Sequence, residues 1–228
     1  MTSRDPDIQR EWQRLFDRFL RRLLELEPRS VLDVGCGRGL LVHELTQRSI
    51  PATGVDTSAP GDDPQIIRAD AAKLPFDDNS FDWVTLRHVP HHLPNVPAAL
   101  HECARVARAG LLIAEPWFDL DDPIQRVSER WDRWWKRQHE RAGDVHRPCI
   151  PLNELIAALP GEFEIEYEHY RHVAHISAHA IDVLSQPLLN ALPESHSDRT
   201  EYAGIAAEIA DRGFTYNGTL ILTASQTA

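Results

Sequence analysis

The sequence predicts an α/β fold, a mainly parallel sheet with helices on both faces and helical insertions added to it. Three observations carry that expectation. Short, evenly apolar runs such as residues 31–34 and 81–86 read as strands buried on both sides. Stretches with helical spacing alternate with them, as parallel connections require. The first apolar run is followed at once by glycines at 35, 37 and 39, which mark a loop whose backbone comes close to a neighbour.

Taken in order, Ile8, Trp12, Leu15, Phe16, Phe19, Leu20, Leu23 and Leu24 recur at helical spacing and Pro28 follows, so residues 1–28 supply an N-terminal helix with one apolar face. Residues 31–34 are the first strand, 35–39 a tight loop, and 40–48 a helix with Leu41, Val42 and Leu45 inward. A second strand covers 52–56. The following TSAPGDDP, residues 57–64, holds two prolines and a glycine and leaves no room for a crossover helix. A bare loop suffices: eight extended residues reach about 27 Å, more than the roughly 17 Å of a five-residue strand. The chain can therefore return to a parallel strand around Ile66 and Ile67.

Residues 81–86 form the fourth strand, and 95–108 a helix with Asn95 as N-cap and Gly110 at its C-terminal end. A fifth strand spans 111–115. In EFEIEYE, residues 162–168, Phe163, Ile165 and Tyr167 alternate with glutamates, the pattern of a half-exposed strand near a sheet edge. Asn217-Gly218 turns the chain into a last buried strand at 219–223. Two stretches fall outside this core: 117–150, where Ile124, Val127, Trp131, Trp134 and Trp135 share a helical face, and 171–212. Both leave the sheet at loops, where caps and lids form. One domain, 1–228, with a core at 29–116, is the expected organisation.

Composition excludes several classes. Acidic residues number 35 against 24 basic, a net charge of -11, so the electropositive footprint that nucleic acid selects is missing. Cys36, Cys103 and Cys149 are odd in number and widely spaced, which argues against a disulfide framework or a zinc knuckle, and no metal is expected. No apolar run approaches the roughly 20 residues of a membrane span. The arginine-rich N-terminus also carries Asp5, Asp7, Glu11, Asp17, Glu25 and Glu27, whereas transit peptides are poor in acids. The expected setting is the cytoplasm, as a monomer or homodimer.

Ligands of parallel α/β sheets bind at the carboxyl ends of the strands, beside the point where strand order reverses. For a glycine loop there, the candidates are a dinucleotide and S-adenosylmethionine. The dinucleotide pattern G-x-G-x-x-G fails in both registers, because Leu40 and Val42 stand where its third glycine belongs. What stands here is D-x-G-x-G-x-G. Asp33 suits a ligand with a cationic amine, as the methionine part of S-adenosylmethionine has. Asp56, ending the second strand, is placed to accept from ribose hydroxyls, and Asp70 from an adenine amino group.

At these residues the chain resembles the class I S-adenosylmethionine-dependent methyltransferases, and more closely the small-molecule branch that includes ubiquinone and menaquinone biosynthesis enzymes. The resemblance rests on VLDVGCGRG (31–39), GVD (54–56), ADAAKLPFDDNSFDWV (69–84), HHLPNVPAALHECARV (91–106) and LLIAEP (111–116), and covers residues 29–116. It implies a Rossmann-like, seven-stranded sheet with the last strand antiparallel. It also implies a cofactor pocket lined by Asp33, Gly35, Gly37, Gly39, Asp56, Asp70 and Ala71, with Thr57 by the ribose and adenine; Cys36 and Arg87 complete the cofactor set. The chain departs from the family where the helix after GVD is missing, where RVARAG lacks the usual proline and second glycine, and throughout the segments after 116.

Methyl transfer to a small acceptor is the expected activity. His88, just past the fourth strand, is the preferred general base and His92 the second catalytic candidate, because a neutral imidazole can take a proton from a hydroxyl, thiol or acidic carbon. Trp12, Glu115, Trp117 and His146 are the candidate substrate residues. Glu115 is read either as orienting the acceptor or as an acid that closes the fold. His172, His175 and His179 are spaced to share a helical face, read as solvated or packed within a cap rather than as metal ligands. The competing classes are a cofactor-binding protein of the same fold without methyl transfer, either scaffold or rearrangement enzyme, and an RNA or protein methyltransferase.

Overall fold

The computed structural model describes residues 6–59, 61–172 and 174–227. Asp5, Pro60 and Val173 lie outside the described residues, as does the side chain of Ile8. The strands are β1 (Val31–Val34), β2 (Ala52–Asp56), β3 (Ile66–Arg68), β4 (Phe81–Arg87), β5 (Ala107–Trp117), β6 (Phe163–Tyr170) and β7 (Gly218–Gln226). The helices are α1 (Pro6–Glu25), α2 (Leu40–Gln47), α3 (Val96–Val106), α4 (Pro123–Arg141), α5 (Leu152–Ala157), α6 (Ala178–Asn190) and α7 (Ser197–Arg212). The seven strands make one mixed sheet in the order β3-β2-β1-β4-β5-β7-β6.

The order follows from which strands are apolar on both faces. All four residues of β1 and the middle five of β4 are buried, so these strands sit at the centre. β1 pairs in parallel with β2 on one side and β4 on the other, which makes the carboxyl end of β1 the switch point. The register sets Asp33 beside Gly54 and Thr85. The return from β2 to β3 is made without a helix among the described residues, as the prolines require.

β7 runs antiparallel to both neighbours. Its first residue, Gly218, lies against Trp117 and the carbonyl of Tyr170, at the ends of β5 and β6. Its far end lies near their beginnings, Ala224 against Gly110, and Thr227, just past the strand, donating to the Glu162 carbonyl. Gly110 is therefore a strand residue and not a helix cap. α3 stops at Val106 because β5 begins at once, and a Cβ on Gly110 would run into the Ala224 carbonyl. Asn95 does cap α3, accepting from the Ala98 amide.

β6 takes the edge position, as its glutamates predict, but the alternation breaks. Phe163 and Ile165 are half-buried, whereas Tyr167 is 56% exposed, so the burial pattern slips by one residue after Glu166. The face is fixed by tertiary contacts, including the Glu166 carboxylate held by Arg22 of α1. The shared histidine face is not formed either. Residues 171, 172 and 174–177 are non-helical, His172 is buried, His175 bridges to Thr215, and of the three only His179 lies on α6.

Two compact units result. The sheet unit comprises residues 14–115, 150–168 and 220–228; the helical unit comprises 1–13, 116–149 and 169–219. In the helical unit, Val127, Trp131 and Trp134 of α4 pack with Ile181, Leu189, Tyr202, Ile205, Ile209 and Phe214. Both buried indoles are satisfied, Trp131 Nε1 donating to Ser185 Oγ and Trp134 Nε1 to the Asp198 carbonyl, each at 3.0 Å. No described helix is long and apolar enough to cross a membrane.

Candidate cofactor site

The chain leaves β1 through a loop that its own hydrogen bonds hold open. The amides of Gly35 and Cys36 both donate to the Val55 carbonyl, at 2.8 and 3.1 Å, and the Gly37 amide donates to Asp56 Oδ2 at 2.9 Å. The glycines serve different ends. Gly39, at φ +76°, takes a backbone that side chains rarely adopt, and a Cβ there would lie 2.6 Å from the tip of the Ile66 side chain, which would have to shift. Gly37, at φ +57°, has nothing within 4 Å of that position, so its bareness leaves open space instead of relieving internal crowding. At Gly35 the would-be Cβ falls on the Val89 side chain.

Beside this loop lies a cavity of about 410 Å³ within the sheet unit, a size typical of small-ligand sites. Its walls are largely apolar, including Val34, Val55, Ala71, Val89 and Leu93, and Asp56, Thr57, Asp70, His88 and His92 supply the polar groups. Asp56 is preorganised: Oδ2 takes the Gly37 amide and Oδ1 the Ser58 amide at 2.7 Å. Each oxygen keeps a second lone pair for a ligand hydroxyl. Asp70 is fixed in the same way, its Oδ1 accepting from the Ala72 amide at 2.9 Å.

Asp33 lies behind this wall, 5% exposed, with Oδ1 taking the Thr85 hydroxyl at 2.8 Å. Burial pushes its carboxyl up to about 6, against the lowering effects of Thr85 and of the Arg87 charge, while Asp56 adds to the rise. Such an acid is stabilised as an anion by an added cation. Arg87 does not line the cavity; it stacks over the Phe16 ring at 5.4 Å and acts through its charge on Asp33. Cys36 does not line it either. Its sulfur fills the space beside Gly54, where a Cβ would come within 2.5 Å, and burial followed by the charges of Asp33 and Asp56 pushes the thiol up to about 12.

His88 does face the cavity, on a backbone at φ +57° whose amide continues the β4–β5 ladder by donating to the Ala114 carbonyl at 2.7 Å. Such a conformation costs energy in a residue with a Cβ, and strain of this kind concentrates at functional sites. His92 also lines the cavity and is exposed. His91 is the other half of the His91-His92 pair, which the sequence offers either for catalysis or as a feature of the loop itself. It is buried, with Nδ1 3.0 Å from both carboxylate oxygens of the wholly buried Glu115, and its ring lies 4.2 Å from that of His92. Glu115 thus faces His91. The only sequence signal for this pair is a His-His step in one loop and an acid ending the next strand.

The remaining candidates, Trp12, Trp117 and His146, belong to the helical unit. There Trp12 meets Tyr216 edge-on at 6.5 Å, Trp117 stacks on His169 at 4.3 Å, and His146 meets Trp135 edge-on at 5.2 Å.

Comparison with known proteins agrees with this fold. Residues 32–114 match the family described as a methyltransferase domain. A ubiquinone biosynthesis O-methyltransferase of Alkalilimnicola ehrlichii is 33% identical over 100 residues, 37% of this chain and 40% of that protein. A demethylmenaquinone methyltransferase of Corynebacterium urealyticum is 37% identical over 111 residues, 45% of this chain and 48% of that protein. The chain thus spans less than half the length of these relatives. A solved SAM-dependent methyltransferase of Archaeoglobus fulgidus shares the fold, with a TM-score of 0.55 at 19% identity over 93% of this chain and 94% of that one.

Proposed function

With residues 32–114 a methyltransferase domain on a Rossmann-like sheet, we propose that this chain transfers a methyl group from S-adenosylmethionine to a small-molecule acceptor. The observation that carries the reading is the coupling of Gly37 to Asp56 beside the β1 switch point: a glycine with open space where a side chain would stand, bonded to a carboxylate that lines a cavity of about 410 Å³. The residues fit the cofactor. Asp56 and Thr57 suit a ribose, Asp70 and Ala71 an adenine edge, and Asp33 an ammonium that would hold its buried carboxyl ionised.

When bound, the cofactor supplies a methyl group on a sulfonium, already reactive toward a nucleophile. The protein then has to align the acceptor, exclude water and, for a protic acceptor, take up a proton. His88 and His92 are the cavity imidazoles placed to take it. Glu115 anchors His91, whose ring lies beside His92, so this buried pair is a positioning device for the exposed histidine. The net charge of -11 supports a small acceptor over nucleic acid, as do the names of the two relatives.

Incubation with methyl-labelled S-adenosylmethionine and a cell extract tests the proposal. Label in a small product is the expected result. Tight binding of S-adenosylhomocysteine with no transfer would instead assign a cofactor-binding or rearrangement protein, and label confined to macromolecules would overturn the small acceptor.

A further inference from the structure

The helical unit holds a buried amine against a thiol. Lys136 lies on α4 one turn after Asp132 and is only 3% exposed, an unfavourable position for an ammonium unless it is paired. Its Nζ sits 2.9 Å from Asp132 Oδ2 and donates to Cys149 Sγ at 3.3 Å, while the Cys149 thiol lies 3.7 Å from that same carboxylate oxygen. Cys149 is partly exposed, in a non-helical stretch where Arg147 and Pro148 face solvent, so the residue lies near the surface. The other thiols are set differently: Cys103 is wholly buried, and Cys36 has the Gly37 carbonyl as its sulfur contact.

We propose that Lys136 and Cys149 form a nitrogen–oxygen–sulfur bridge on exposure to hydrogen peroxide, making the pair an oxidative modification site. In the first step the sulfur attacks peroxide: Cys–SH and H₂O₂ give Cys–SOH and water, the O–O bond breaking as sulfur loses two electrons. In the second, Cys–SOH, Lys–NH₂ and another H₂O₂ give Cys–S–O–NH–Lys and two waters, an N–O bond forming as the second peroxide takes two electrons. Lys136 must lose its ammonium proton first: burial favours that loss, the charges of Asp132 and Cys149 outweigh it and hold the amine protonated, and the Asp132 carboxylate 2.9 Å away is the acceptor beside it. Spacing favours the bridged product. From 3.3 Å, admitting one oxygen requires the atoms to approach by less than a bond length, whereas a direct sulfur–nitrogen bond requires about a whole one.

The test is high-resolution peptide mass spectrometry of the folded protein after peroxide and alkylation. The expected result is a Lys136–Cys149 cross-linked species, resistant to trypsin at Lys136 and heavier than the unlinked pair by one oxygen less two hydrogens. A thiol reductant should reverse it, which separates it from a methylated lysine. Cys149→Ser and Lys136→Arg should each abolish it. Peroxide that yields only sulfinic Cys149 with Lys136 still cleavable, or a link lacking the oxygen, overturns the proposal.

Discussion

Cofactor affinity should depend on pH through Asp33. Burial lifts its carboxyl from 3.8 to about 6, so about nine-tenths is ionised at pH 7 and about one-tenth at pH 5. If only the anion grips the ligand ammonium, apparent affinity scales with the ionised fraction, and S-adenosylhomocysteine should bind about tenfold more weakly at pH 5 than at pH 7. Calorimetric titration across that range measures this. Asp33→Asn keeps the Thr85 hydrogen bond but loses the charge; it should bind about 10-fold or more weakly at pH 7 and lose this part of the pH slope. The fold responds in the opposite sense. Because the folded-state carboxyl is raised, its contribution to stability is fully present below about 4 and is lost as pH rises through about 6. The shift corresponds to about 3 kcal/mol, so Asp33→Asn should be more stable than the parent at pH 7, with the difference closing below pH 4. An affinity that is flat between pH 5 and 7, or a variant that keeps the whole slope, would refute the grip.

Gly39→Ala must overcome both φ +76° and the overlap with Ile66; it should lower the melting temperature more than Gly37→Ala, whose cost is only the left-handed backbone, about 1–2 kcal/mol. Gly37→Ala should nonetheless lose cofactor binding by titration, because its new methyl enters the open space of the loop. Glu115→Ala strips the buried His91 of its carboxylate partner and should cost about 1–3 kcal/mol in denaturant unfolding. Cys36, its thiol held at about 12, should resist iodoacetamide at pH 8 in the folded protein and react once unfolded, as followed by mass.

Much of the architecture is written locally. The bounds of β1 and β2, the lack of a helix among the described residues between β2 and β3, and the Asn95 cap follow from hydrophobic runs, prolines and capping chemistry, each decided within a few residues. So does the glycine loop, whose residues 35, 37 and 39 all take positive φ, a region that glycine enters freely. Where a side chain's role depends on a distant strand, the sequence is less informative. Cys36 and Arg87 neighbour the cavity in the chain, yet one packs on Gly54 and the other on Phe16.

The sequence by itself determined the parallel core, its switch point and the acids ranged around it, because strand burial and backbone sterics are short-range. Only the tertiary structure decided that β7 threads between β5 and β6, that Glu115 meets His91 and that Lys136 meets Cys149. These pairings depend on register and packing between segments far apart in the chain, and no local pattern of residues encodes that distance.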